Sequence, residues 1–186
     1  MNETLAQRLV TVNEYLRQEN DCVVRHEYVA GVSHALVDNS ESHNLIVGNL
    51  LAAIHLQVRR HDWTVYALGF KVRLKIGHAD IFYYPDMMVA CQRVGVEQYY
   101  LRYPALIVEV LSPSTEAIDR REKLLNYPQI STLDEYVLVA QDTREVTIHR
   151  RFEGWRPYLL SATEAVVEFR SIKYSLPLAQ IYEGVL

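Results

Sequence analysis

Cysteine is scarce in this chain of 186 residues: Cys22 and Cys91 are the only two, without paired spacing. Neither a disulfide framework nor a cysteine zinc site is expected from that pattern. Long hydrophobic runs are missing as well. No stretch approaches 18 apolar residues, and the N-terminus lacks the apolar core of a secretory signal, so no membrane association is expected and the cytoplasm is the expected compartment. Positive charge is in deficit, with 19 Lys and Arg against 23 Asp and Glu, a net charge of −4. That balance excludes a generic nucleic-acid coating protein but leaves room for a local basic groove. Histidine is present at positions 26, 34, 43, 55, 61, 78 and 149, with no i, i+4 pair of the kind that makes a helical zinc site. Repeats, linkers and low-complexity tracts are absent too.

What is there reads as one domain over residues 1–186. Hydrophobic residues make up 49% and charged residues 23%, ordinary values for a globular protein able to bury roughly two-thirds of its unfolded surface. Thr11-Val12-Asn13-Glu14 is a capping-box pattern opening a short helix to about Glu19. A strand pair turning near Gly31 is expected between Val23 and Val37. A longer helix runs from Ser42 to about Arg60, where Val47, Leu51, Ile54 and Val58 form one apolar stripe. Phe70 to Ile76 alternates apolar and basic residues, as an amphipathic strand does. Tyr83 to Cys91 and Leu106 to Leu111 read as two further strands. Asp119 with Glu122 marks another helix start, ended by Pro128. A fifth core strand covers Tyr136 to Ala140, and Val146–Arg151 with Trp155–Leu160 reads as a hairpin across Glu153-Gly154. The order gives an α/β core with extra strands at both ends.

One residue is out of place. Glu109 lies inside Ala105-Leu106-Ile107-Val108-Glu109-Val110-Leu111, the most apolar stretch of the chain and the pattern of a strand buried on both faces. A carboxylate stripped of water there costs several kcal/mol, on the order of the penalties for buried ions. A cationic partner, a shared proton or a metal ion can compensate. Asp86 in Tyr84-Pro85-Asp86-Met87-Met88-Val89 has the same character. Two acids on two core strands suggest a hard-cation site built on a sheet.

Side chains alternate along a strand, so Ile107, Glu109 and Leu111 share a face. A nuclease of the PD-(D/E)xK type carries a lysine two residues after the second acid, about 7 Å along that face. Here the position is Leu111. Lys123, one turn in from Asp119 on the following helix, is the replacement that a helix packed over the sheet can bring to Glu109.

Arg25-His26-Glu27-Tyr28-Val29-Ala30-Gly31, Ser42-His43-Asn44, Tyr84-Pro85-Asp86, Ile107 to Thr115, Asp119 to Tyr127 and Glu135 to Val139 together carry a resemblance to a known family. The chain resembles the Uma-type restriction-endonuclease-like family, abundant in cyanobacteria and long known as a domain of unknown function. The likeness extends from about Thr11 to the tail at Leu176–Tyr182. It departs after Gly31, where Val32-Ser33-His34 replaces an acidic-aliphatic-aromatic pattern. The resemblance implies a restriction-endonuclease-like fold, with a mixed central sheet flanked by helices. It implies metal acids at Asp86 and Glu109, the catalytic lysine at Lys123, and an accessory acid at Glu27.

Those residue types suit phosphodiester hydrolysis, which develops negative charge on the phosphate and the leaving oxygen. Mg²⁺ or Mn²⁺ held by carboxylates neutralises that charge and lowers the pKa of bound water. Mg²⁺ takes one or two protein carboxylates, here Asp86 and Glu109, with the carbonyl of Val110 as an extra ligand. The expected function is metal-dependent endonuclease cleavage of DNA, by a homodimer because two strands need two sites. The alternative is a catalytically silent protein of the same fold that binds nucleic acid or a protein partner. Every residue also has a plainer role open to it: Asp86 as a strand-start cap, Glu109 in a salt bridge with an arginine, and Lys123 on a solvated face. Glu27 could pair with Arg25 or Lys71, while His43 and Tyr127 read as structural. Lys71, Arg73 and Lys75, with Arg59-Arg60 and Arg150-Arg151, could track phosphates or lie on ordinary exposed surfaces. The 13 tyrosines read as core and interface residues.

Overall fold

The structure, a computed structural model, describes residues 9–37, 40–67, 69–92 and 94–186. Helix α1 (Val12–Asp21) opens with the expected capping box, Thr11 and Glu14 each satisfying the other's backbone N–H. Strands β1 (His26–Val29) and β2 (Val32–Ala35) form the expected hairpin. Its turn places Ala30 and Gly31 both at positive φ, the mirror-image turn that suits the twist of paired strands. At Gly31 a Cβ would also meet the side chain of Leu9 at 3.0 Å. Helix α2 (Glu41–Val58) is capped by Ser40 and buries Ile46, Val47, Leu50, Ile54 and Val58.

Strands β3 (Thr64–Ala67), β4 (Lys71–Ile76), β5 (Ala79–Tyr83) and β6 (Met87–Ala90) follow. The stretch Tyr83–Cys91 is therefore not one strand. Strand β5 ends at Tyr83, the chain turns through Tyr84-Pro85-Asp86, and β6 starts in another sheet. Pro85 has no N–H to give to a ladder, so the change of sheet falls where a continuous strand would lose a hydrogen bond.

After the short β7 (Tyr100–Leu101) comes β8 (Leu106–Leu111), buried along its whole length. The next helical segment is irregular: α3 (Glu116–Ile118), a π-helical turn (Asp119–Lys123), α4 (Leu124–Asn126) and a 3₁₀ turn (Tyr127–Gln129). It begins before Asp119, which is interior to the segment and not its cap. Strand β9 (Glu135–Ala140) is buried throughout, and β10 (Val146–Arg150) pairs with β11 (Pro157–Leu160) as the expected hairpin. Strands β12 (Val166–Phe169) and β13 (Tyr174–Pro177) and the short α5 (Leu178–Ile181) end the chain.

The central sheet is mixed, in the order β11-β10-β9-β8-β6-β3, with β8 and β9 parallel. A second sheet, β2-β1-β5-β4-β7, carries the N-terminal hairpin. Even-numbered residues of β8 (Leu106, Val108, Val110) pack with α2, while Ile107 and Leu111 join Tyr127, Leu133 and Tyr136 on the other face. Glu109 therefore points toward the helical segment. Burying each of Leu106, Ile107, Val108, Val110 and Leu111 contributes about 1.5–3 kcal/mol. Together they outweigh the several kcal/mol that one buried carboxylate costs, so the strand holds Glu109 in place.

The basic stretches mostly serve the fold. Lys71 is buried and donates to the Tyr84 hydroxyl at 3.0 Å. Arg73 pairs with Asp80 at 2.7 Å. Arg151 donates to the carbonyls of Leu133 and Pro128. Arg150, 2% exposed, donates to Glu135 at 2.8 Å, and Glu135 also accepts from Ser171 and the Arg170 amide. These four are not a phosphate-tracking face; Lys75, Arg59 and Arg60 are exposed.

Glu135→Leu leaves the buried Arg150 guanidinium with only the part-exposed Glu153 carboxylate, at 3.5 Å. It is expected to destabilise the chain by about 3–5 kcal/mol, a melting temperature lower by roughly 10 °C at this chain length. The double change Glu135→Leu with Arg150→Met should recover only part of the loss, because the Ser171 and Arg170 amides still lack their acceptor. An unchanged melting temperature in the single variant would refute this account of the pair.

Candidate active site

Three elements converge on one ammonium. Lys123 Nζ lies 3.1 Å from Glu109 Oε1 of β8, 3.1 Å from Glu27 Oε1 of β1 and 2.9 Å from Asp119 Oδ1 of its own helical segment. Lys123 and Asp119 are buried, as are Glu27 and Glu109. Lysine is thus brought to Glu109 from the helix, in the place left by the buried Leu111. The π-helical turn holding Asp119 and Lys123 is a rare conformation that occurs mostly as single turns and often at functional sites.

The second acid is locked to the first through the backbone. The Val110 amide donates to Asp86 Oδ2 at 2.7 Å, and the Asp86 amide donates to Glu109 Oε2 at 3.3 Å. Each carboxylate is thus held by a backbone amide at or next to the other acid. The buried His43, one turn into α2, places Nε2 3.1 Å from Asp86 Oδ2. Tyr127 donates its hydroxyl to Glu109 Oε1 at 2.8 Å, and its ring sits edge-on to Tyr83 and Tyr136. Glu27 also accepts the Tyr84 amide at 3.1 Å. It therefore pairs with neither Arg25 nor Lys71.

Glu27, His43, Asp86, Glu109, Asp119 and Lys123 line a small cavity of about 70 Å³, with Val110 and Thr115 in its wall. A wider cleft of about 640 Å³ lies beside it and shares Leu36, Val37, His43, Tyr84 and Asp86 with the cavity. Asp86 is the acid that reaches water, its side chain 19% exposed.

Asp86, Glu109, Lys123 and Glu27, the expected site residues, lie together around this cavity. Three more belong to the same network. Asp119 has a local D-x-x-E pattern that suggests a cap, although its i, i+4 spacing to Lys123 is that of a helical ion pair. His43 and Tyr127 are ordinary as sequence. Only their position against Asp86 and Glu109 distinguishes them.

Charge is the dominant fact of the cavity. Four carboxylates, Glu27, Asp86, Glu109 and Asp119, face one ammonium, an excess of three negative charges if all are ionised. Burial pushes the Glu109 carboxyl well above its ordinary value, against the pull of Lys123, and Asp119, Asp86 and Glu27 add to the rise. For Lys123, burial works to discharge the amine, but Glu109, Glu27 and Asp119 outweigh it and hold the ammonium firmly charged. Burial and Glu109 raise the Tyr127 hydroxyl, which remains a neutral donor. An oxygen-rich cavity with surplus negative charge fits a hard divalent cation.

Comparison with known proteins places the fold in context. The profile of the family described as "Uma2: Putative restriction endonuclease" matches residues 12–179. Uncharacterized protein slr1290 of Synechocystis sp. is 31% identical over 175 residues, spanning 92% of this chain and 90% of that protein. Uncharacterized protein sll1609 of the same organism is 29% identical over 171 residues, spanning 90% and 94%. The crystal structure of "a putative nuclease belonging to DUF820" from Anabaena variabilis superimposes with a TM-score of 0.75 at 16% identity, over 95% of this chain and 99% of that one. That superposition establishes a common fold.

Because the folded chain holds the Glu109 proton more tightly than the unfolded chain, stability falls as pH rises above 4.5, the ordinary value. Lys123 stays charged through the neutral range and adds no slope there. Glu109→Gln removes the titrating group while Glu27 and Asp119 still hold Lys123. Without divalent metal, its melting temperature relative to the parent is expected to be higher at pH 8 than at pH 5. Thermal melts at both pH values, with chelator present, check this; a difference independent of pH would contradict it.

Proposed function

The chain belongs to the Uma2 restriction-endonuclease-like family, and from that premise we propose that it is a metal-dependent endonuclease hydrolysing DNA phosphodiester bonds. The observation that carries the proposal is the excess of buried carboxylates around a single lysine, beside a cleft open to solvent. A fold that gained only stability from these residues would balance them or replace them with apolar ones, since buried ion pairs are poor stabilisers compared with packed hydrophobes.

In this reading Asp86 and Glu109 hold Mg²⁺ or Mn²⁺, with the Val110 carbonyl as a third protein ligand. When bound, the ion supplies charge neutralisation and a bound water of lowered pKa. The protein side chains do the rest. Lys123 positions the attacking water or a phosphate oxygen and offsets charge that builds during the displacement. Glu27 and Asp119 fix the direction of the Lys123 ammonium. Tyr127 sets the Glu109 carboxylate, and His43 sets that of Asp86, much as outer partners orient metal ligands in other sites. The cleft along Val23, Val24, Arg25, Leu36 and Val37 supplies the approach for a strand, with Arg25 as its basic residue. Two copies of the chain would present two such centres to a duplex, so a homodimer is the assembly that suits double-strand cleavage.

Plasmid cleavage with Mn²⁺ tests the proposal. Asp86→Ala and Glu109→Ala should each reduce nicking to background. Lys123→Ala should slow it by about 10²–10³-fold, the loss typical of removing one charge-stabilising donor, while calorimetry still registers Mn²⁺ binding. Cleavage that survives both acid substitutions would sink the reading. Salt-sensitive retention of DNA without cleavage by the parent chain would favour the catalytically silent alternative.

A further inference from the structure

A second cluster of metal-binding side chains lies outside this cavity. Glu19 closes the last turn of α1, Cys22 caps that helix in an extended conformation, and His26 opens β1. The spacing is Glu-x2-Cys-x3-His, and one ligand atom from each residue falls within 4.8 Å of the other two. Among the described residues this is the group of three histidine, cysteine or acidic side chains drawn so close.

We propose that Glu19, Cys22 and His26 form a binding site for a divalent ion of borderline softness, Zn²⁺ by preference, at the junction of α1 and β1. The donor set is one nitrogen, one sulfur and one oxygen. Tetrahedral zinc takes such donors at about 2.0–2.3 Å, which puts neighbouring ligand atoms roughly 3.3–3.8 Å apart. Glu19 Oε2 and His26 Nδ1 are already 3.1 Å apart. Cys22 is exposed and free, so its side chain can swing to close the third side, leaving the outward fourth position to water.

The site is built rather than accidental in its surroundings. Glu19 is 2% exposed, and its ion-pair partner is His26. Glu19 Oε1 is held by the His26 amide and by the Tyr84 hydroxyl, both at 2.8 Å, which leaves Oε2 for the ion. Tyr84 is in turn held by Lys71 at 3.0 Å, and the Tyr15 hydroxyl anchors the His26 carbonyl at 2.6 Å. These outer hydrogen bonds fix the ligands as second partners do in established metal sites. On binding, the Cys22 thiol releases its proton to solvent, and the imidazole binds through an unprotonated Nδ1 with its proton on Nε2. The sulfur and nitrogen donors separate this site from the all-oxygen set of the cavity, which suits Mg²⁺ or Mn²⁺.

Titration of the full chain with Co²⁺ alone, as a spectroscopic stand-in for Zn²⁺, tests the site. The parent is expected to show a thiolate-to-cobalt charge-transfer band with the visible bands of tetrahedral Co²⁺, saturating at one ion per chain and displaced by Zn²⁺. Cys22→Ser, at an exposed position that the fold tolerates, should abolish the charge-transfer band. His26→Ala should weaken it, while Cys91→Ser and Asp86→Ala leave it intact. No band in the parent, a band that persists in Cys22→Ser, or one lost in Asp86→Ala would overturn the proposal. Plasmid cleavage is a separate readout, so loss of one reading leaves the other standing.

Discussion

The Lys123 ammonium is the point on which the structure turns. It joins β1 through Glu27, β8 through Glu109 and its own helical segment through Asp119. Each of those acids would be costly to bury alone, and the ammonium would be costly to bury without them. The placements therefore depend on one another. Strand β8 can keep Glu109 because its aliphatic residues anchor it on both faces, and the helical segment can bury Lys123 because Glu109 is already there. The arrangement still leaves negative charge unbalanced, and the folded chain carries this as a raised Glu109 proton affinity. Proteins commonly retain such electrostatic strain where function requires it, with stability supplied elsewhere. Here the apolar layers beside α2 and β9 lie on the supplying side.

How much of this could be read from sequence depends on how local each signal is. Glu109 was legible because its neighbours within a few residues are all apolar, and one carboxylate in that setting is anomalous by itself. Asp86 was legible for the same reason from its C-terminal side. The capping box of α1 and the hairpin at Gly31 are also written in a few adjacent residues. Lys123 was different. Nothing beside it in sequence sets it apart from Arg120, Arg121 or Glu122, and only the family pattern and the leucine at 111 pointed to it. Burial of that helix face is a tertiary fact, and so is the recruitment of Asp119, His43 and Tyr127.

The misreadings have the same physical origin. Tyr83 to Cys91 is apolar enough for one strand, but Pro85 interrupts the ladder and sends the chain to a second sheet. Strand β3 is four residues long and half-buried, too weak a pattern to stand out after a long helix. The alternation Lys71, Arg73, Lys75 looks like an exposed basic face, yet Tyr84, Asp80 and Tyr100 engage its first two members. Arg150 and Arg151 are likewise consumed by Glu135 and by backbone carbonyls. Basic residues declare a charge, not an address. A partner on a neighbouring strand decides whether that charge meets phosphate or protein.

Tyr84 links Glu27 of β1 to Glu19 of α1 and gives the Tyr84-Pro85-Asp86 turn a physical reason. Its amide is tied to Glu27 at the rim of the lysine cluster, its hydroxyl to Glu19, and Asp86 follows two residues later. With both donors of Tyr84 engaged, the turn has little freedom, and Asp86 stays where the Val110 amide meets it. Burial and Glu19 hold the Tyr84 hydroxyl well above the ordinary phenol value, so it remains a donor throughout the neutral range. An ion on Glu19 Oε2 would leave that donor bond in place and fix the direction of the carboxylate that accepts it. By this route the α1–β1 junction and the cavity acid Glu27 both bear on the turn that carries Asp86.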